Sequence, residues 1–311
     1  MKKFLLKVIL FFGCVVVMDF TLGFVFSWLR SHAKGGSTAN CEYIANRSTD
    51  DIIILGSSRA THHYIPHIIE DSLGMSCYNC GEEGNGVVLA YGRLKMLTNR
   101  YKPKLVLYEV TPGFDYGTAE SGAKYLGYLR SYYDKDGISE IFDDFDDELS
   151  WLKMKSKMYQ NTGRLLPDIA DNLVFRNNNK GYDALYGQMK NPSNKSAKDN
   201  IEEMGVDSLK LSYMGKVIIL CKQNQIPLYF MISPRYGIQE LDDSVFEPGI
   251  SLKPALALCE EYDIPVYNYV HCPPISGNIE YFQDKGHMNN QGAVAYTQLL
   301  IKEVLNKNNY K

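Results

Sequence analysis

Apolar and polar positions divide the chain into three regimes. Residues 8–29 are apolar apart from Asp19, with Lys2, Lys3 and Lys7 on one flank and Arg30, His32 and Lys34 on the other. A helix of this length crosses about 30 Å of hydrocarbon, so the pattern predicts a membrane anchor within residues 1–34. A cleaved signal peptide would carry an apolar region of only about 7–15 residues. Asp19 is costly in lipid and predicts a partner helix or polar cavity beside the span, or a tilt toward an interface. Basic residues on both flanks leave the positive-inside bias weak. The short amino-terminal tail and acidic remainder favour a cytoplasmic amino terminus and an exported, periplasmic body.

After a polar linker expected over 35–50, short apolar runs alternate with stretches of helical spacing through 51–311. Residues 51–55, 76–79, 105–110, 227–232 and 264–269 read as strands, and 65–73, 87–100, 208–224, 253–262 and 289–306 as helices. Such a β-α-β rhythm predicts an α/β fold, a five-stranded, doubly wound parallel sheet between two helical layers. The rhythm fails over 113–207, which is rich in Tyr, Asp, Asn and Lys and predicts a largely helical insertion over the sheet's active edge. Its acidic run, 140–148, lacks the spacing of a calcium loop and reads as a solvated helical face.

Composition narrows the partners. With 311 residues, 45% hydrophobic, 22% charged and a net charge of −3, the chain has room for a sizeable core and no basic footprint for nucleic acid. Of seven cysteines, Cys14 lies in the span; Cys77 and Cys80 have CxxC spacing, but at a strand end they read as thiols packed on opposite faces. No three-ligand spacing argues for zinc, and no cofactor is expected.

Three segments carry candidate chemistry. The first strand runs into Gly56-Ser57-Ser58-Arg59, a turn that would either hold a serine hydroxyl at the carboxyl edge of the sheet or use it to cap the next helix. "FQDKGHMNNQGA" precedes the last helix and sets Asp284 three residues before His287, close enough for the carboxylate to bond Nδ1 while Nε2 faces outward. A serine nucleophile needs such a base. "NCGEEGNG", residues 79–86, follows the second strand, where glycine lets a backbone N–H approach a substrate oxyanion.

Together these residues resemble the SGNH (GDSL-type) hydrolase family over about 51–116 and 207–306. The resemblance implies the family's flavodoxin-like α/β/α fold. Its first block falls on Gly56-Ser57-Ser58 and implies Ser58 as nucleophile; its second, NxGxxG, matches Asn79, Gly81 and Gly84, implying Gly84 and Ser58 N–H as the oxyanion hole. The last, DxxH, lands on Asp284 and His287. The remaining block, GxND, meets Thr111-Pro112-Gly113-Phe114, without the asparagine. A third donor is then missing, or supplied by Asp115, Tyr116 or the insertion. "GSSR" with this gap looks like the membrane-anchored branch that acylates exopolysaccharide and teichoic acid. The implied activity is that of a serine esterase or O-acyltransferase on cell-envelope glycans, probed most simply with a small acetyl ester. Arg59, Asn79 and Asp115 are candidate substrate contacts, and Arg59 with His62 and His63 would suit a polyanionic glycan or lie on a helix surface. The alternative is a non-catalytic envelope protein that binds glycan or a membrane acyltransferase partner.

Overall fold

The computed structural model describes residues 1–118, 126–145, 150–173, 179–190, 205–237, 245–247 and 250–307. Strands β1 (Ile52–Gly56), β2 (Cys77–Asn79), β3 (Leu105–Glu109), β4 (Leu228–Ile232) and β5 (Val266–Asn268) form one all-parallel sheet in the order β2-β1-β3-β4-β5. Ile52 pairs with both Cys77 and Leu105, and Gly56 with Glu109, so the carboxyl ends of the central strands lie level. The order reverses beside β1, and such a switch point opens a ligand crevice at the carboxyl edge.

The helices used below are α1 (Lys2–Ser31), α2 (Gly36–Asn46), α3 (Ser58–His63), α4 (Pro66–Leu73), α5 (Val87–Thr98), α6 (Lys157–Asn161), α7 (Leu165–Leu173), α8 (Ser208–Gln223), α9 (Lys253–Glu261) and α10 (Asn290–Glu303). Successive strand residues point to opposite faces. Ile53, Leu55, Val106 and Tyr108 therefore join the core formed with α2, α5, α8 and α9, whereas Ile52, Ile54, Leu105 and Leu107 pack with α3, α4 and α10. All five β1 residues are buried, as a strand covered on both faces requires. Each isoleucine there contributes roughly 1.5–3 kcal/mol relative to exposure. Cys77 and Cys80 are buried free thiols in opposite cores.

α1 is one continuous helix of 30 residues, and its apolar side chains are largely exposed. It is long and apolar enough to cross a membrane. Asp19 is bound by the amino end of α6: its carboxylate accepts from Ser156 Oγ, from Lys157 N at 2.8 Å and from Met158 N at 3.2 Å. A Cβ at Gly23 would lie 2.7 Å from the Lys157 backbone, so glycine permits that approach.

The expected linker is instead α2, a correction to the polar reading of 35–50. Ile44 and Ala45 enter the core, while Glu42 is buried because it meets Arg30 at 2.5 Å, Asn46 Nδ2 at 2.9 Å and Tyr132 OH at 2.7 Å. Of the insertion, α6 and α7 pack against α1 rather than over the sheet edge. Residues 179–190 do reach that edge, where Asn79 N donates to Lys180 O at 2.9 Å and Asp183 N to Thr61 O at 3.1 Å. Part of the acidic run, 146–148, lies outside the described residues. Asp144 accepts from Tyr213 OH and Lys216 Nζ, both at 2.7 Å.

Candidate active site

Gly56 ends β1 with φ +143°, and a Cβ there would lie 2.7 Å from Glu109 O. Only glycine fits that turn. Ser57 follows as the N-cap of α3, yet its side chain makes no capping bond and instead donates to Thr111 Oγ1 at 2.8 Å. The next hydroxyl faces the crevice: Ser58 Oγ lies 2.8 Å from His287 Nε2, across 229 residues of sequence. Being in the first turn of α3, the Ser58 amide has no intrahelical partner by position.

His287 is held by its own turn. Asp284 Oδ1 accepts from Gly286 N at 2.7 Å and His287 N at 2.9 Å, and the ring Nδ1 lies 3.0 Å from Oδ2. Buried Phe282 and Met288 bridge the ends of this turn and anchor it in the core. Since a carboxylate only accepts, Nδ1 carries the hydrogen and Nε2 is left to accept from Ser58. Burial pushes the Asp284 carboxyl up, but the His287 bond and charge and the two backbone N–H groups outweigh it and hold it at about 2.

The loop after β2 is built around Asn79, whose Nδ2 donates to Ala60 O at 2.6 Å and Tyr64 O at 3.1 Å while Oδ1 accepts from Gly81 N at 3.0 Å. Asn79 thus clamps the loop to α3. A Cβ on Gly81 would lie 2.7 Å from Thr61 N, and Gly84 turns at φ +63°. Between them Glu83 reaches His62 Nε2 at 2.6 Å, and the His62 ring stands edge-on to His287 with centroids 5.9 Å apart.

Beneath α3 lies a buried polar network. Arg59, 2% exposed, donates from Nη2 to Ser233 Oγ at 2.9 Å and meets Glu109 Oε1 at 3.1 Å. Ser233 Oγ donates to Glu109 Oε1 at 2.7 Å and accepts from His63 Nδ1 at 2.7 Å. Burial pushes the Glu109 carboxyl up against the pull of Arg59, Tyr64 and Ser233.

Several expected contacts are corrected by this arrangement. Arg59, His62 and His63 lie neither on a helix surface nor open to a polyanion, because their partners come from β3, β4 and the loops that cover α3. Asn79 is spent on the loop clamp. Asp115, fully buried, accepts from Tyr108 OH at 2.7 Å and Thr111 N at 2.6 Å, while Tyr116 OH donates to Ser251 O at 2.6 Å. These side chains fix the end of β3 rather than face the serine.

A cavity of about 410 Å³ opens beside the site, walled by Gly36, Ser37 and Asn40 of α2, by Tyr128, and by Asn179, Tyr182 and Asp183 of the insertion. Thr61 of α3, Gly81 and Glu83 complete its wall; Ser58, Asp284 and His287 do not line it. Against family models and curated proteins, the chain has no match.

Sequence reasoning overlooked Glu109, Ser233 and Glu83, and read His63 only as a glycan contact or a helix-surface residue. Glu109 and Ser233 did leave a signal, a polar residue closing the otherwise apolar runs "LVLYE" and "LYFMIS" at the carboxyl ends of central strands.

Proposed function

We propose that the protein is a serine esterase or O-acyltransferase of the SGNH type, anchored by α1 with its body outside the cytoplasm. The observation that carries this reading is the hydrogen-bonded line Ser58–His287–Asp284, assembled from opposite ends of the chain. Ser58 Oγ attacks an ester carbonyl as His287 Nε2 takes its proton, and Asp284 stabilises the imidazolium. The carbonyl oxygen becomes an oxyanion, met by the Ser58 and Gly84 N–H groups. Collapse breaks the ester C–O bond, His287 returns the proton to the leaving alcohol, and the acyl group stays on Ser58. Water or a sugar hydroxyl then gives its proton to His287 and takes the acyl group as the bond to Ser58 Oγ breaks, and His287 returns that proton to Ser58 Oγ. The cavity lining, rich in hydroxyl, amide and carboxylate groups, suits a polyhydroxylated acceptor such as an envelope glycan.

The test uses the full chain in detergent. A fluorophosphonate should label Ser58, and Ser58→Ala and His287→Ala should abolish both labelling and turnover of a chromogenic acetyl ester. The missing GxND asparagine, with Asp115 and Tyr116 engaged elsewhere, favours a second reading, a non-catalytic glycan-binding protein. Ester turnover equal in wild type and Ser58→Ala would select it.

A further inference from the structure

α7 is an inside-out helix. Leu166 and Leu173 are each 79% exposed and Ile169 37%, at the i, i+3, i+7 spacing of a single face, whereas Asp168 and Asp171 are 2% and 3% exposed. The buried carboxylates are satisfied by α2, Asp168 accepting from Thr38 Oγ1 at 2.9 Å and Asp171 from Thr38 N at 3.1 Å. A helix facing water would present the opposite stripe. In the turn entering α6 and on α6 itself, Trp151, Leu152 and Met158 are 55%, 54% and 37% exposed, and Lys155 N donates to Leu152 O at 3.0 Å. This apolar face is continuous with α1: Asn172 Nδ2 donates to Leu29 O at 2.7 Å, Lys34 N to Asp171 O at 3.1 Å, and Asp19 holds the start of α6.

The position of Asp19 sets the height of the collar. At 1.5 Å per residue Asp19, which holds α6, and Leu29, which meets α7, lie about 25 and 40 Å along α1 from Lys2, on either side of the far boundary of a hydrocarbon layer of about 30 Å. Helices fastened there meet the region where acyl chains give way to head groups. Amphipathic helices that lie in this plane bury one face by about 5–10 Å, and tryptophan is favoured at the same depth.

We infer that the apolar face of α7, with Trp151, Leu152 and Met158, is seated in the lipid bilayer as a collar around α1. The occupant is lipid rather than a protein partner because the patch borders the anchor on the anchor's own axis. The inference rests on the anchor reading, and the test separates the two.

The chain contains two tryptophans, Trp28 and Trp151. Full-length Trp28→Phe is reconstituted into phosphatidylcholine vesicles containing lipids brominated along the acyl chain. Trp151 emission should be quenched roughly twofold or more, given the shallow burial expected of an interfacial helix. Leu166→Trp in a Trp28→Phe, Trp151→Phe background should behave alike. Tyr186→Trp in that background, at a position 84% exposed on the segment beside the site, should not be quenched. Carbonate-resistant association with both collar tryptophans unquenched overturns the collar and leaves the anchor standing, and is also the outcome if a protein covers the face. Extraction by carbonate overturns both.

Discussion

His63 Nε2 accepts a hydrogen bond from the Met288 amide at 3.0 Å, immediately beyond His287 in sequence. The amide can only donate, so Nδ1 carries the ring hydrogen and donates to Ser233 Oγ, which donates onward to Glu109. A relay of three side chains at the ends of β3, β4 and α3 thus fixes the backbone from which His287 projects. His63→Ala leaves the Met288 amide without its buried acceptor, a loss of about 1–3 kcal/mol. Ester turnover should fall about tenfold or more, since 1.36 kcal/mol in the barrier is a factor of ten. Fluorophosphonate labelling of Ser58 should be slowed rather than abolished. An unchanged labelling rate would show that the relay does not position His287.

The same ring makes stability depend on pH. Burial, then the charges of Arg59, His287 and His62, hold His63 well below its ordinary 6.5. The unfolded chain therefore binds a proton that the native state refuses, so this contribution to stability is present above pH 6.5 and is lost as pH falls below it. Protonated Nε2 also cannot accept from Met288. Thermal unfolding followed from pH 8 to pH 5 should show an acid-side loss that His63→Gln reduces. An equal loss in both proteins would exclude His63 as its source.

His62 responds in the opposite direction. Burial pulls it down, but the Glu83 carboxylate and the Asp183 carbonyl outweigh burial and raise it above 6.5. Its contribution is complete below that value and disappears as pH rises through the raised pKa. Glu83→Gln removes the strongest opposing group and leaves only Asp183 against burial, so the NMR titration midpoint of His62 should drop. A midpoint unmoved by the substitution would mean that the 2.6 Å contact does not form in solution.

Much of the sheet was legible because buried parallel strands are short apolar runs bounded by glycine, proline and polar residues. "IIILG" and "LVLYE" are of this kind. Ser58, Asp284 and His287 were legible for a different reason: a Gly-Ser-Ser turn and a DxxH turn are local chemistry, readable without their partners. What stayed hidden depends on pairings across the fold. Arg59 and His63 look like surface residues until Glu109 and Ser233 arrive from β3 and β4. Likewise α2 looks like a linker until Arg30 neutralises Glu42. The polarity of α7 runs against the rule that apolar faces turn inward, so helical spacing alone could not show which face is buried.

Asp284 anchors its own turn as well as the imidazole, and its two tasks can be separated. Because it is held at about 2, it stays ionised through the mildly acidic range, so the acid limb of activity there should not report its titration. Asp284→Asn keeps an acceptor for the Gly286 and His287 amides but removes the charge that stabilises the imidazolium; turnover should fall by roughly 10³–10⁴ while the unfolding temperature changes little. A loss of activity matched by loss of folding would instead give Asp284 a purely structural role.

Asp19 links α1 to the insertion, and the consequence of removing it follows from what it satisfies. The first amides of α6 have no intrahelical partners, and Lys157 N and Met158 N depend on the Asp19 carboxylate. Asp19→Leu suits the apolar stretch by composition, yet it takes the acceptor from these partly exposed donors and from the Ser156 hydroxyl, at about 1 kcal/mol for a lost hydrogen bond. The variant should remain membrane-bound while limited proteolysis within 150–173 accelerates by about tenfold, the population change that 1.4 kcal/mol produces. Asp19→Asn retains one accepting oxygen and should fall between the two. If Asp19→Leu is cleaved no faster than the wild type, the α1–α6 junction does not hold the insertion in place, and the collar loses its fastening to the anchor.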